Sequence, residues 1–332
     1  MASTASTPES PGPLDLAELA DTTVVIMSPA LLTSVTIERG TGGADEIHIH
    51  PAGQGYWVAR MVKALGARPV LVTTCGGEPA SAAVTLVDDG IGIRTIPTRG
   101  AGGVYVDDRR SGERQRLADA PAIPIGRHAI DDLVAATVAE GLNAGIVVLT
   151  GSNGHSSVPP EMFSTVSSGL HALGVTVVAD LSGDELGEVL DGHVDVIKVA
   201  ADELGGLPGL EGVTSPSSDA GQLDALRKDA ARLRERCGAD IFITRASAGV
   251  VACTEAGDLT GSGPVLETVD PRGAGDSFTA ALAVGRGAGL ATVDQLRLAL
   301  AAAATNVLRH GLGSATKEAV DSMLDQAVVT VG

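Results

Sequence analysis

Short apolar runs rich in Val and Ile alternate along this chain with longer stretches whose apolar residues recur every three or four positions. The short runs, at 23–27, 69–73, 145–150, 175–179, 194–199 and 240–244, have the length and near-continuous hydrophobicity of strands buried on both faces. The longer stretches, at 56–65, 79–89, 128–140, 160–173 and 222–236, are predicted helices. This alternation specifies an α/β fold in which helices cover both faces of a mostly parallel sheet. Ligands bind such sheets beyond the carboxyl ends of the strands, and Thr150, Asp180, Lys198 and Thr244 all fall at or just after those ends. Two segments, 34–50 and 92–117, are β-rich without intervening helices and on pattern alone read as surface hairpins. Segment 207–220 is rich in Gly, Pro and Ser and reads as a surface loop.

Composition narrows the picture. A chain of 332 residues, 44% hydrophobic, holds one large α/β domain or two small ones. Aromatic residues make up only 2%, so the core has to be built from Ala, Val, Leu and Ile. A formal net charge of −18 argues against binding nucleic acid or an anionic membrane. It also requires that any bound polyphosphate be held by local groups such as glycine amides, Arg or a divalent cation. Cys75, Cys237 and Cys253 are too few and too scattered for a metal site or a disulfide framework. Residues 1–18 read as a disordered tail, with no basic start or apolar segment near the N-terminus, and no run is long enough to span a bilayer. A cytoplasmic protein is expected, with its folded domain over 19–330.

The chemistry concentrates in Val269-Asp270-Pro271-Arg272-Gly273-Ala274-Gly275-Asp276-Ser277-Phe278. This stretch follows a β-like run at 264–269 and opens a helix in which Phe278, Ala281, Leu282 and Gly285 share a face. Gly-Ala-Gly at a strand-to-helix junction lets main-chain N–H groups point at an anion, and the helix N-terminus adds partial positive charge. A carboxylate beside such an anion hole is electrostatically unwelcome unless it has a task. Asp276 is suited to deprotonate a hydroxyl and send it into phosphorus, while the amides of Gly273, Ala274 and Gly275 stabilise the transferring group. The plainer alternative is a glycine turn with a capping Asp.

This element resembles the C-terminal signature of the ribokinase-like, or PfkB, carbohydrate kinase family, and the likeness extends over residues 22–315. Pro51-Ala52-Gly53-Gln54-Gly55-Tyr56-Trp57 and the run on to Leu65-Gly66-Ala67 are similar to the family's N-terminal glycine motif and its helix. Thr150-Gly151-Ser152 resembles the Ser-Gly-Ser turn of the sugar-phosphate kinase branch. Ala179-Asp180-Leu181-Ser182-Gly183, and Val196-Ile197-Lys198 through Glu203-Leu204, match two further landmarks. The nearest branch is that of 1-phosphofructokinase and tagatose-6-phosphate kinase. The resemblance implies a ribokinase-like three-layer α/β/α domain with a small β lid, from about 33–50 and 92–118, through which two subunits pair as a homodimer. It implies ATP- and Mg²⁺-dependent phosphorylation of a hydroxyl on a sugar or sugar-like molecule. Gly53, Gln54, Gly55, Trp57, Ser152 and Asp180 then fall on the substrate. Lys198, Glu203, Thr244, Gly249, Gly273, Gly275 and Asn306 fall on the nucleotide, with Glu203 also serving the metal.

The chain departs from that branch at several ligands. Gln54 and Trp57 stand where Gly-Gly-Lys-Gly-x-Asn has Lys and Asn, and Leu32 ends Ser28-Pro29-Ala30-Leu31-Leu32 where the branch has Asp. Ala101-Gly102-Gly103-Val104 replaces a Thr-Arg-Thr-Asn, removing a bidentate phosphate ligand. In Ala200-Ala201-Asp202-Glu203 the Asn of Asn-x-x-Glu is gone, with Asp202 a substitute oxygen. Neutral acceptors are therefore expected over hexose phosphates, unless Arg109, Arg110 or Arg114 in the lid takes over. The alternatives are a nucleoside kinase, with Trp57 stacking on the base, and a catalytically silent sugar or nucleotide sensor. His48 and His50 share one side of a lid strand and read as solvated histidines.

Overall fold

A computed structural model describes residues 14–100, 102–152, 157–207, 210, 220–264, 266, 272–308, 313 and 315–332. Seven adjacent parallel strands, ending at one edge, make up most of a 10-stranded sheet. They are β1 (Thr23–Ser28), β4 (Arg68–Cys75), β5 (Gly92–Pro97), β8 (Ile146–Thr150), β9 (Thr176–Asp180), β10 (Val196–Ala200) and β11 (Asp240–Thr244). Antiparallel β12 (Val250–Thr254), β13 (Gly257–Ser262) and β14 (Val328–Val331) complete one edge, giving the order β14-β13-β12-β11-β10-β9-β8-β1-β4-β5. A separate four-stranded sheet has the order β3-β2-β6-β7, from β2 (Leu32–Arg39), β3 (Asp45–Ala52), β6 (Val104–Asp108) and β7 (Gln115–Ala120).

Successive residues of each central strand serve opposite layers. Val24, Ile26, Val148, Val178 and Val196 pack with α1 (Gln54–Ala64), α7 (Ala274–Gly287), α8 (Thr292–Val307) and α9 (Lys317–Leu324). Val25, Met27, Val147, Val177 and Ile197 pack with α3 (Arg127–Ala144), α4 (Glu161–Ala172), α5 (Gly183–Val189) and α6 (Ala220–Cys237). Both faces are therefore dry, which is why these strands read as continuous apolar runs. Scarcity of aromatics is met by small residues: Ala280, Ala281, Ala283, Ala299, Ala301 and Ala302 are all fully buried in α7 and α8. Phe242 and Phe278 meet edge-on at 6.4 Å, locking α7 onto the sheet.

The predicted parallel α/β core is present, with four corrections. Residues 92–97, expected in the lid, are β5 and pair with β4 at the edge of the main sheet. Among the described residues the strand before the glycine motif is β13, which ends at Ser262; residues 264 and 266 of the expected run are outside any strand, and the rest of it lies outside the described residues. Residues 16–18, expected in the tail, belong to a 3-10 turn (Leu16–Asp21) that buries Leu16 and Leu19. The helix expected at 79–89 is α2 (Gly77–Thr85) and stops earlier. Most of the expected 207–220 loop, residues 1–13, Ala101 and the motif's Val269, Asp270 and Pro271 lie outside the described residues.

The last turn of α7 is tied to the sheet by charge. Asp240, 4% exposed, accepts from Arg286 of α7 at 3.2 Å, from Arg234 of α6 at 2.9 Å and from the Glu255 N–H at 2.8 Å. Removing the carboxylate strands two guanidinium groups and a backbone donor. Asp240→Ala is expected to lose about 3 kcal/mol, the scale of breaking a buried pair from one side. Urea denaturation measures it, and a loss below about 1 kcal/mol would mean the arginines rehydrate freely.

Candidate active site

Strand register builds the floor of the site. Thr150, Asp180 and Lys198 are successive register partners across β8, β9 and β10, so their side chains stand in a row on the face toward α1 and α7. The Lys198 Nζ donates to both carboxylate oxygens of Asp180, at 3.1 and 3.3 Å, and the Thr279 hydroxyl of α7 donates to Oδ2 at 2.5 Å. Asp180 and Lys198 are both buried. Burial alone would lower the Lys198 pKa, but Asp180, Asp276 and Glu203 outweigh it and hold the ammonium above its ordinary value.

The N-terminus of α7 closes over this row. Gly273 takes φ +73° as the residue before the helix, a conformation that favours glycine. A Cβ on Gly275 would lie 3.0 Å from Lys198 Nζ, so this glycine lets the ammonium approach the helix. Asp276 follows in the first turn and reaches the cleft. Burial foremost, then the neighbouring Asp180 charge, pushes its carboxyl up to about 7, with Lys198 pulling partly back. A carboxyl poised near neutrality can take a proton and release it, as a general base must.

These groups lie at the bottom of a cleft of about 530 Å³. One wall comes from the glycine turn before α1. Gly53 has φ +104°, and a Cβ on Gly55 would fall 2.5 Å from that of Ser28. Gln54 accepts from the Gly151 N–H at 3.1 Å and donates to the Asp180 carbonyl at 3.4 Å, joining the turn to the ends of β8 and β9. Beyond it Glu185 of α5 lines the wall and accepts from the N–H and hydroxyl of Ser152.

The small sheet covers the cleft. Tyr105, Arg114, Arg116 and Asp119 reach into it. Buried Asp107 accepts from Arg114 at 2.7 Å and Arg116 at 2.6 Å, and Arg116 also pairs with Asp119 and stacks over Tyr105 at 4.4 Å. A side pocket of about 270 Å³ opens beneath the same sheet, lined by Ser34, Thr36, His48, His50 and Arg109 among others. Trp57, the single Trp, lines both spaces.

Of the residues predicted from sequence, Gly53, Gln54, Trp57, Asp180, Lys198, Glu203, Gly273 and Asp276 line the cleft together. Ala274 and Gly275 form the helix start beside them, and Gly55 and Ser152 support its wall. Thr244 and Gly249 are not among the lining residues. Thr244 donates to the Val199 carbonyl at 3.4 Å, and Gly249, at φ +89°, makes the turn into β12. Asn306 is buried, its amide donating to the Arg272 carbonyl at 2.7 Å and accepting from the Gly313 N–H at 2.8 Å, so it braces the motif loop and does not face the cleft. His48 and His50 stack at 6.2 Å. Arg110 is engaged by Asp108 and Asp45, on the sheet away from the cleft lining. Glu185, Tyr105, Arg116, Asp119 and Thr279 were not foreseen. The signal the sequence offered for the lid was the arginine-rich run at 107–114, which holds Arg114.

Residues 33–319 match the family model described as pfkB family carbohydrate kinase. The chain is 26% identical over 317 residues to the ATP-dependent 6-phosphofructokinase isozyme 2 of Mycobacterium tuberculosis, covering 91% of this chain and 88% of that protein. It is 25% identical over 312 residues to the 1-phosphofructokinase of Vibrio cholerae, covering 92% and 95%. The tetrameric inhibited form of phosphofructokinase-2 from Escherichia coli superposes with a TM-score of 0.78 at 19% identity, covering 92% of this chain and 98% of that one, a likeness of fold.

The raised Asp276 pKa has a thermodynamic signature. Between its ordinary value of 3.8 and about 7 the folded chain keeps a proton that the unfolded chain has released. This group's stabilising contribution is thus full below about 4, is lost as pH rises to about 7, and is level above that. Asp276→Asn is expected to remove that fall and to melt higher than the parent at pH 8. Parallel melting curves for the two proteins from pH 4 to 8 would contradict the shift.

Proposed function

The chain belongs to the pfkB family of carbohydrate kinases, and we propose that it phosphorylates its acceptor with Asp276 as the general base and the N-terminus of α7 as the anion hole. The activity is ATP-dependent phosphorylation of a sugar or sugar-like molecule. The arrangement that carries the residue assignment is a carboxyl raised toward neutrality beside the first amides of α7 at the floor of one cleft. An acceptor hydroxyl placed over Asp276 gives it a proton as its oxygen attacks the γ-phosphorus. The new O–P bond forms as the bond to the departing ADP oxygen breaks. Amides at Gly273, Ala274 and Gly275 have no partner within the helix and stabilise the charge on the transferring group. Lys198 offsets part of the negative charge that Asp180 and Asp276 bring to the same place.

Gly53, Gln54 and Trp57 border the acceptor, with Gly55 and Ser152 behind them. Glu203 and Lys198 border the phosphates, and Thr244 and Gly249 belong to the outer nucleotide side. Asn306 acts there through the loop it braces. Among the described residues no group of three or more His, Cys, Asp or Glu is placed to hold a metal. That donor set fits Mg²⁺ arriving with ATP, since this ion takes most of its oxygens from phosphates and water and needs one or two carboxylates. Glu203, exposed on the cleft, is the residue to serve it, where the ion would neutralise phosphate charge.

We also propose a homodimer through the lid. Its polar face turns to the cleft, and the other carries Val35, Ile37, Ile47, Ile49, Val104 and Val106. Ile47 is 65% and Ile49 48% exposed, an apolar patch that a second copy would cover. Among the described residues no helix is long and apolar enough to cross a membrane.

Asp276→Asn preserves shape and removes basicity, so kcat should fall by about 10²–10⁴. In the parent, kcat/KM should rise as pH passes up through about 7. Unchanged turnover in the Asn variant sinks the assignment. For the dimer, Ile47→Asp should convert the protein to monomer in light scattering and raise the KM of the acceptor; a fully active monomeric parent would make the lid a self-contained flap.

A further inference from the structure

The turn after β8 offers three donors to the cleft wall, and the protein's own side chains take all of them. Gly151 N–H goes to Gln54 Oε1. The Ser152 N–H reaches Glu185 Oε2 at 3.1 Å and Oε1 at 3.3 Å, and the Ser152 hydroxyl reaches Oε1 at 2.5 Å. A backbone N–H and a hydroxyl converging on one oxyanion is how proteins grip a carboxylate or a phosphate group. Here the anion is internal. The fit is tight as well: a Cβ on Gly151 would fall 2.6 Å from Glu185 Oε2, so any larger residue at 151 would push the carboxylate away.

The cations around the cleft are engaged in the same way. Arg114 and Arg116 are held by Asp107 and Asp119, and Lys198 by Asp180. Resting on the reading of this cleft as the acceptor site of a kinase, we propose that Glu185 is a built-in anion that occupies the Ser152 donors and selects a neutral polyhydroxylated acceptor over a phosphorylated one. A phosphate monoester carries about −1.5 to −2 at pH 7. Brought to this wall it meets a like charge and finds the donors taken. A sugar hydroxyl donates to the lone pairs that Ser152 leaves open on the carboxylate. One residue thus both attracts the right acceptor and repels the wrong one.

The test compares the full-length protein with Glu185→Gln, which keeps the shape, and Glu185→Ala. ATP consumption is followed with fructose and ribose against fructose-1-phosphate and fructose-6-phosphate. The parent should favour the neutral sugars. Both variants should lower KM for the phosphorylated acceptors by about tenfold or more, the scale of a charge-assisted hydrogen bond, and raise KM for the neutral ones. A change confined to kcat, or an unchanged KM ratio in both variants, overturns the proposal. So does a parent that prefers the phosphorylated hexoses. Inorganic phosphate gives a second readout that needs no turnover. Glu185→Ala should gain more in Tm from phosphate than the parent does, and adding Ser152→Ala should remove that gain; equal gains in parent and variant overturn the proposal. Loss of all ATP consumption with this phosphate effect intact would instead count against the kinase reading. Should Glu185→Ala fail to fold, the Gln variant carries both measurements.

Discussion

Two carboxylates share one ammonium at the carboxyl end of the sheet, and the active end of the molecule is organised around that imbalance. Lys198 makes its hydrogen bonds to Asp180 by register, since neighbouring parallel strands place the two side by side. Asp276 then arrives from α7 as the carboxylate in excess, in a place where burial penalises charge. The sheet sets the position of the first pair, the helix sets that of the third group, and neither could hold the arrangement alone. Phe278 against Phe242, Thr279 onto Asp180 and Arg286 onto Asp240 fix α7 at its start, along its body and at its end.

How much of this was legible depended on whether a residue's role is local. Central strands were read within one or two residues because burial on both faces leaves an uninterrupted apolar run, as in Ile146–Thr150. The helix after Gly273 was clear because glycine spacing and the first-turn Asp are local signals. By contrast, β5 alternates in exposure along Gly92–Pro97 as any edge or lid strand would, so pattern could not say which sheet it joins. Of the antiparallel edge β12–β14, also missed, β13 has mixed polarity along Gly257–Ser262 and no distinctive period.

Site residues divide along the same line. Asp276, Gly273 and Lys198 sit in contiguous patterns and were found. Glu185 meets Ser152 across 33 positions of sequence, and Arg116 is recruited by Asp107 only once β6 and β7 pair. Asn306 and Gly249 stood out in the sequence, but the contacts they make were not legible there. One is a buried brace for the motif loop, and the other is a positive-φ turn residue. A polar residue in an apolar context signals a constraint, and sequence alone does not say whether the constraint is chemical or architectural.

The near absence of aromatic residues has a practical side. Trp57 is the one indole in the chain, 9% exposed, with the Arg60 guanidinium 5.8 Å from its ring and with both the main cleft and the side pocket against it. Its emission comes from the boundary between acceptor cleft and lid, with no other indole to obscure it. The protein thus carries its own optical gauge of events at that boundary, readable in the unlabelled chain.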